Sequence, residues 1–512
     1  MRRRQHTHVV FIIACLAACL AVLARPSSAD VRLPHVFGDH MVVQRGTKIP
    51  VWGWADPGEE VAVQLGKRKA KTRADAEGKW IVRLGRIRKA GGPYEMTVTG
   101  RNTIRLTDVL VGEVWIASGQ SNMQFSVRGA ADPEKEIAAA QRPEMRLLQA
   151  PRVSAGQPAS DIEVEWKRCS PETVADFSAV AYFFGRKLHE ELNVPIGLIN
   201  ASWGGTRIEP WTPPVGFASV SELNDQVKKI EEENAKYRQA VAESLKPIEN
   251  WIQKAQKALE GKAPIPPIPT FPRHGLDGSG APTGLYNGMI HPFAPFGIRG
   301  AIWYQGEANR NDGLAYHEKM KALINGWRAV WGQGDFPFYY VQLAPFRYQE
   351  DPREVAKIWE AQLKTLSVAN TGMAVTVDIG NVQNVHPKNK QDVGKRLALW
   401  ALAKDYGRKG LVYSGPLYKS MTVEGRKVRI RFDHVGGGLT SRDGKPLTGF
   451  EVAERSRRFE KAEAMIDGKT LLVWSDRARS PIAVRFAWSI QAEPNLSNKE
   501  GLPAPAFRTD DW

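Results

Sequence analysis

Four short blocks of this chain carry side chains suited to nucleophilic catalysis. The first, Gly119-Gln120-Ser121-Asn122-Met123, follows the apolar run Val114-Trp115-Ile116-Ala117. A serine beside a glycine at the C-terminal end of a strand puts its hydroxyl where open α/β sheets bind ligands. Ser and Asn are also ordinary helix N-caps. The last block, Asn384-Val385-His386-Pro387-Lys388, offers His386, the side chain type best suited to accept a serine proton near neutral pH. A histidine before proline is equally at home in a loop. Between them lies Asn200-Ala201-Ser202-Trp203-Gly204-Gly205-Thr206-Arg207, whose adjacent glycines let backbone N–H groups approach a substrate, as an oxyanion hole requires, or simply make a tight turn. In Trp303-Tyr304-Gln305-Gly306-Glu307-Ala308-Asn309, the amide of Gln305 or Asn309 could donate to a developing oxyanion, or only close a loop.

Each block sits beside an apolar run, so the elements between them decide whether they meet. From residue 109 onward apolar strands alternate with helical stretches, which predicts a parallel sheet covered by helices on both faces. Residues 30–108 instead show short alternating runs, such as Val61-Ala62-Val63-Gln64-Leu65, separated by turn signals such as Asp56-Pro57-Gly58. They read as an N-terminal β domain of sandwich type. The α/β region is expected to span 109–412, interrupted by a helical insertion over about 217–262 and a Pro-rich linker over 263–282. The insertion has heptad-like apolar spacing that does not persist, which favours a solvated surface helix over a partner-binding coiled coil. Alternation returns in Lys427-Val428-Arg429-Ile430-Arg431-Phe432, so residues 413–512 read as a second β region.

A chain of 512 residues with 42% hydrophobic and 25% charged side chains is long enough for several domains and a large core. Arg2, Arg3 and Arg4 precede an apolar stretch over 9–23 that closes on Ser27-Ser28-Ala29, the pattern of a secretory signal peptide over residues 1–29. Leu16-Ala17-Ala18-Cys19 also permits lipoprotein anchoring, and a retained anchor is a third reading. The expected location is secreted or periplasmic, without stable membrane insertion once the signal is removed. Its removal takes four arginines and lowers the formal charge from +16 to +12. The remaining Lys and Arg residues are dispersed, not gathered into a stripe, which argues against a nucleic-acid partner. Cys15 and Cys19 leave with the signal, so Cys169 is left without an intrachain disulfide partner or a cysteine zinc site.

Taken together the blocks resemble the sialate O-acetylesterase family of SGNH hydrolases. The likeness is carried by Gly119-Gln120-Ser121-Asn122-Met123, Trp203-Gly204-Gly205-Thr206-Arg207-Ile208-Glu209, Leu285-Tyr286-Asn287-Gly288-Met289-Ile290, Tyr304-Gln305-Gly306-Glu307 and His386-Pro387, and it runs from Leu33-Pro34-His35 to Gly501-Leu502-Pro503-Ala504. The resemblance implies a three-layer α/β/α SGNH domain flanked by β-sandwich-like regions, acting without metal or other cofactor on O-acetyl esters of sugars. Xylan or another acetylated polysaccharide is an alternative substrate, and a non-catalytic carbohydrate-binding protein is the alternative from another class. By the same resemblance Ser121 is the nucleophile and His386 the base. The oxyanion hole would combine the Ser121 N–H, Gly204 or Gly205, and the amide of Gln305, with Asn309 in reserve because position 308, where such enzymes carry an Asn, is alanine. Arg207 and Glu307 would bind substrate, Arg207 by pairing with a sugar carboxylate or, alternatively, by forming an ion pair with Glu209. The pattern breaks at the third triad member: Gln383 stands three residues before the histidine, with Asn381 and Asn384 nearby. A backbone carbonyl, Asn384 or Asp378 could orient the base, and a Ser-His dyad is the simplest account.

Overall fold

The computed structural model describes residues 30–512; the predicted signal peptide and its anchoring alternatives lie outside the described residues. The apolar run before Ser121 forms the second half of a strand of 17 residues, Thr103–Gly119 (β1). After it come α1 (Ser121–Gln124), β2 (Arg142–Gln149), β3 (Trp166–Cys169), α2 (Ala179–Leu192) and β4 (Ile196–Ser202). The long helix α3 (Asn224–Glu260) leads on to β5 (Gly300–Tyr304), α4 (Ala315–Trp331), β6 (Phe338–Val341), α5 (Lys357–Lys364), β7 (Thr371–Ala374) and α6 (Lys390–Lys404).

These strands lie in the order β7-β6-β5-β1-β4-β2-β3, parallel except for β3, which runs antiparallel to β2. The chain leaves β1 toward β4 and β2 and returns on the other side at β5. The carboxyl end of β1 is therefore a topological switch point, where open sheets hold their ligands. Register brings Gly119 level with Ser202 on β4 and Tyr304 on β5, so the three strands end together.

Alternation along β1 divides the core between two sides. Trp115 and Ala117 pack with α2 and α6, where the rings of Trp115 and Phe184 are 4.9 Å apart. Val114 and Ile116 pack on the opposite side with Trp303, Ile324 and Trp327. Trp115 is fully buried, and its truncation to alanine should cost about 3–5 kcal/mol.

The first half of β1 pairs antiparallel with Gly91–Thr99 and parallel with Val42–Gln44. The expected division at residue 108 thus falls inside one continuous strand: the N-terminal β region and the parallel sheet share β1. Fully buried Glu113 fastens the junction, bonded by Gln44 at 2.9 Å, by Arg299 at 2.7 Å and by Arg45. Burial works against its charge, yet Arg299, Gln44 and Arg45 outweigh it and hold the carboxyl below its usual range.

The predicted helical insertion is a single helix of 37 residues, α3, with Pro247 inside it. The Pro-rich stretch after it has no helix or strand, but it is not a free tether, since Trp251 Nε1 donates to the Pro266 carbonyl at 2.8 Å. Past residue 413 the chain forms mainly two four-stranded antiparallel sheets and some two-stranded pairing, fastened to α5 by Arg508 and Glu360 at 2.9 Å. Cys169 is buried, its thiol pushed up to about 12 by that burial. No helix among the described residues is long and apolar enough to cross a membrane.

Candidate active site

The site begins where β1 stops. Gly119 has φ of 137°, and a Cβ there would lie 2.1 Å from the Tyr304 carbonyl oxygen, so only glycine lets β1 and β5 close together at this level. The next residue, Gln120, donates its N–H to that same carbonyl at 3.0 Å. Ser121 then opens α1, and no hydrogen bond uses its own N–H. The Gln120 side-chain oxygen accepts from Ala308 N–H at 3.2 Å, tying the first block to the third. Trp203 N–H donates to the Gly119 carbonyl at 3.0 Å, tying the second block to the first.

His386 Nε2 lies 2.8 Å from Ser121 Oγ, across 265 residues of chain. That distance makes the imidazole a hydrogen-bonded base for the hydroxyl. Burial, and after it the charge of Lys390, lowers the histidine below its usual range, which favours the neutral ring. Phe125 stacks beside the ring, with centroids 6.1 Å apart. His386 has no other side-chain hydrogen bond among the described residues.

Two of the candidates for orienting the ring are engaged elsewhere. Both oxygens of Asp378 bind Arg396 at 2.6 Å. Asn384 Oδ1 accepts the backbone N–H of His386 at 2.9 Å, and Asn381 Oδ1 accepts that of Gln383 at 2.8 Å. These amides shape successive Asx turns of the loop and leave the imidazole alone.

The glycine loop lies against the serine. A Cβ on Gly204 would sit 3.2 Å from Ser121 Cβ. Gly204 donates its N–H to Gln124 Oε1 at 2.7 Å, while that of Gly205 is uncommitted. Of the backbone N–H groups of Ser121, Gly204 and Gly205, those of Ser121 and Gly205 have no hydrogen-bond partner among the described residues.

The expected amide donors do not join them. Gln305 is fully buried and spends its amide hydrogens on the Thr206 carbonyl at 3.1 Å and Asn309 Oδ1 at 2.7 Å. Asn309, equally buried, donates to Glu209 at 3.1 Å and Asp312 at 2.6 Å. Both amides hold the glycine loop and have no hydrogen left for an oxyanion. Arg207, expected to read a substrate carboxylate, takes the ion-pair alternative: Nη2 lies 3.0 Å from Glu209 and 2.9 Å from Asp312, and Nη1 donates to the Ala308 carbonyl at 2.9 Å. Lys319 joins the same two carboxylates at 2.7 Å. Glu307 faces inward, accepting from Asn122 Nδ2 at 2.5 Å, with its other oxygen buried and unpartnered.

Sequence reasoning missed the roles of Gln124, Asn122 and Lys390. Gln124 lay one residue beyond the first block, and Asn122 lay inside it without a role. Lys390, fully buried at the start of α6, carried no sequence signal, since a lysine in a first helical turn reads as solvated. Among the described residues no group of His, Cys, Asp and Glu is arranged to hold a metal ion.

Against known proteins, the family model "Carbohydrate esterase, sialic acid-specific acetylesterase" matches residues 111–249 and 278–403, which contain all four blocks. Sialate O-acetylesterase of Rattus norvegicus is 29% identical over 451 residues, covering 80% of each chain. Its Homo sapiens counterpart is 27% identical over 534 residues, covering 94% of this chain and 93% of that one. The crystal structure of a novel carbohydrate acetylesterase from Xanthomonas citri superposes with a TM-score of 0.80 at 37% identity, covering 94% of this chain and all of its own. The chain belongs to the sialic acid-specific acetylesterase family of carbohydrate esterases.

Proposed function

We propose that this protein is a serine esterase that removes acetyl groups from O-acetylated carbohydrates, with sialate as the first substrate to test. The observation that carries the reading is the 2.8 Å contact between His386 Nε2 and Ser121 Oγ at the carboxyl end of β1. His386 takes the hydroxyl proton as Ser121 Oγ bonds to the acetyl carbonyl carbon, and the resulting oxyanion is met by the N–H groups of Ser121 and Gly205. Collapse breaks the ester bond, and the imidazolium returns its proton to the departing sugar oxygen. Water, deprotonated by the same imidazole, then releases acetate from acetyl-Ser121. The helices on both sides of the parallel sheet and the switch-point position of Ser121 support the three-layer SGNH plan for this region.

Among the described residues no carboxylate bonds the ring of His386, so the reading is a dyad. Losing a triad acid costs about 10⁴ in turnover when it leaves the wrong tautomer. The base role needs the tautomer with its proton on Nδ1, and both tautomers satisfy the 2.8 Å contact between Nε2 and Ser121 Oγ, so a penalty of up to that size belongs to the dyad reading.

A second reading concerns the sugar. With its terminal nitrogens engaged by Glu209, Asp312 and Ala308, Arg207 has its charge already offset by two carboxylates before a substrate arrives. That favours an acetyl ester on a neutral sugar, such as a polysaccharide, over one on sialate. Acetate release from O-acetylated sialic acids and acetylated xylan, measured for wild type, Ser121→Ala and His386→Ala, tests both readings. Release by wild type alone supports the esterase and ranks the sugars; an inert wild type moves the non-catalytic binding protein ahead.

A further inference from the structure

Beneath the serine and histidine lies a buried polar cluster that the dyad chemistry leaves unused. Lys390 is fully buried, and its Nζ donates to Asn122 Oδ1 at 2.5 Å. Asn122, equally buried, donates its two amide hydrogens to Glu307 Oε1 at 2.5 Å and to the Val385 carbonyl at 2.9 Å. The Val385 carbonyl can only accept, so it dictates which way the amide points, with Nδ2 toward Val385 and Glu307 and Oδ1 toward Lys390. Asn122 adjoins the nucleophile and Val385 adjoins the base. One side chain therefore bridges the helix of Ser121 to the loop of His386.

The charges around this amide are costly to bury. Lys390 faces Glu307 and His386, and its Nζ lies 4.9 Å from the Phe125 ring centroid and 5.4 Å from that of Tyr304. The remaining charge on its own helical turn, Asp392, is tied to Asn389. Glu307 faces Asn122, Lys390, Tyr304 and Tyr348, while Arg310 is held on its backbone carbonyl and paired with Glu350. A site that needed only packing would place apolar side chains here.

We propose that the Asn122–Glu307–Lys390 cluster takes over the positioning part that an aspartate on the histidine loop plays in a full triad, while its lysine charge opposes protonation of the base instead of favouring it. Asn122 clamps the base loop against the nucleophile helix. Glu307 and Lys390 hold Asn122 in the orientation that permits this, and Lys390 sets the charge felt by His386. Burial brings the ammonium down to about 7, so the charge that lowers His386 is itself lost near neutrality. The inference rests on the dyad reading, and its members are positioning residues.

The test is the pH profile of acetate release for Lys390→Met and Glu307→Gln, near-isosteric changes whose folding is checked by thermal melting. Removing the lysine charge frees His386 to hold its proton to higher pH, so Lys390→Met should move the acidic limb of kcat/KM upward. Glu307→Gln keeps an acceptor for Asn122 and removes the charge; it should lower kcat by about 10- to 100-fold, the usual loss when an outer partner of a functional group is removed, with KM nearly unchanged. It also stands as the second variant should Lys390→Met fail to fold. Profiles that superimpose on wild type with kcat within about threefold, or effects confined to KM, overturn the proposal. Ser121→Ala and His386→Ala are measured alongside. Retained activity there would defeat the dyad reading itself, a different outcome from inactive dyad variants beside unaffected cluster variants.

Discussion

Replacing Gly119 by alanine should uncouple catalysis from folding in a measurable way. The new Cβ would stand 2.1 Å from the Tyr304 carbonyl oxygen, where an ordinary contact needs about 3.5 Å. The end of β1 must therefore withdraw from β5 by roughly 1.4 Å, the difference between those two separations. Holding alanine at φ of 137° adds about 1–3 kcal/mol of backbone strain. The displacement falls two residues before Ser121, whose Oγ must stay 2.8 Å from His386 Nε2. A misplacement of about 1 Å costs on the order of 10²-fold in turnover. The assay is kcat for acetyl ester hydrolysis together with urea unfolding. Gly332→Ala is the control, because Gly332 has φ of 61° and nothing within 4 Å of an added Cβ. It should lose about 1 kcal/mol of stability and keep its kcat. If Gly119→Ala turns over within about threefold of wild type and unfolds like the control, the reasoning is refuted.

The remaining expectations concern charge and positioning. Because burial lowers His386, the base is neutral to more acidic pH than an ordinary imidazole, and the acidic limb of kcat/KM should lie below the usual value of about 6.5; a limb above that value contradicts it. Glu113→Leu strands Arg299 and Arg45 at the junction and should cost about 3–5 kcal/mol in urea unfolding, with kcat unchanged wherever the fold survives. Since the Glu113 carboxyl is depressed, its contribution is present above its unfolded value and is lost as pH falls through the folded one; stability of wild type relative to Glu113→Gln should shrink toward acid. Arg207→Gln should change KM for sialate and for a neutral acetylated sugar by the same factor, and a selective loss on sialate would restore the carboxylate-reading role.

The parallel sheet and the long helix follow from features that sequence displays openly, apolar runs alternating with helical stretches, whereas the pairing of Ser121 with His386 came from the family resemblance. The junction at Glu113 did not show, because Asp108, a residue type common in turns, stands where the alternating run gives way to the apolar one, although the strand continues through it at φ of 54°. Gln305 and Asn309 are of the right type and stand at the right strand end. Their hydrogens are taken partly by near neighbours, Asn309 and Asp312, and partly by Thr206 and Glu209, which lie 99 and 100 residues away in the chain. Arg207 was legible only as two alternatives for the same reason. Lys390 escaped notice, and Glu307 was read as a substrate contact, because a charge is read as exposed until the fold buries it.

The most direct test of the central claim is covalent labelling with an organophosphonate that reacts with activated serines, followed by peptide mass mapping and acetate-release assays on the same samples. One adduct on Ser121, formed in step with the loss of acetate release and absent from His386→Ala, is the predicted result. Adduct on another residue, or undiminished acetate release from enzyme fully labelled at Ser121, would contradict it.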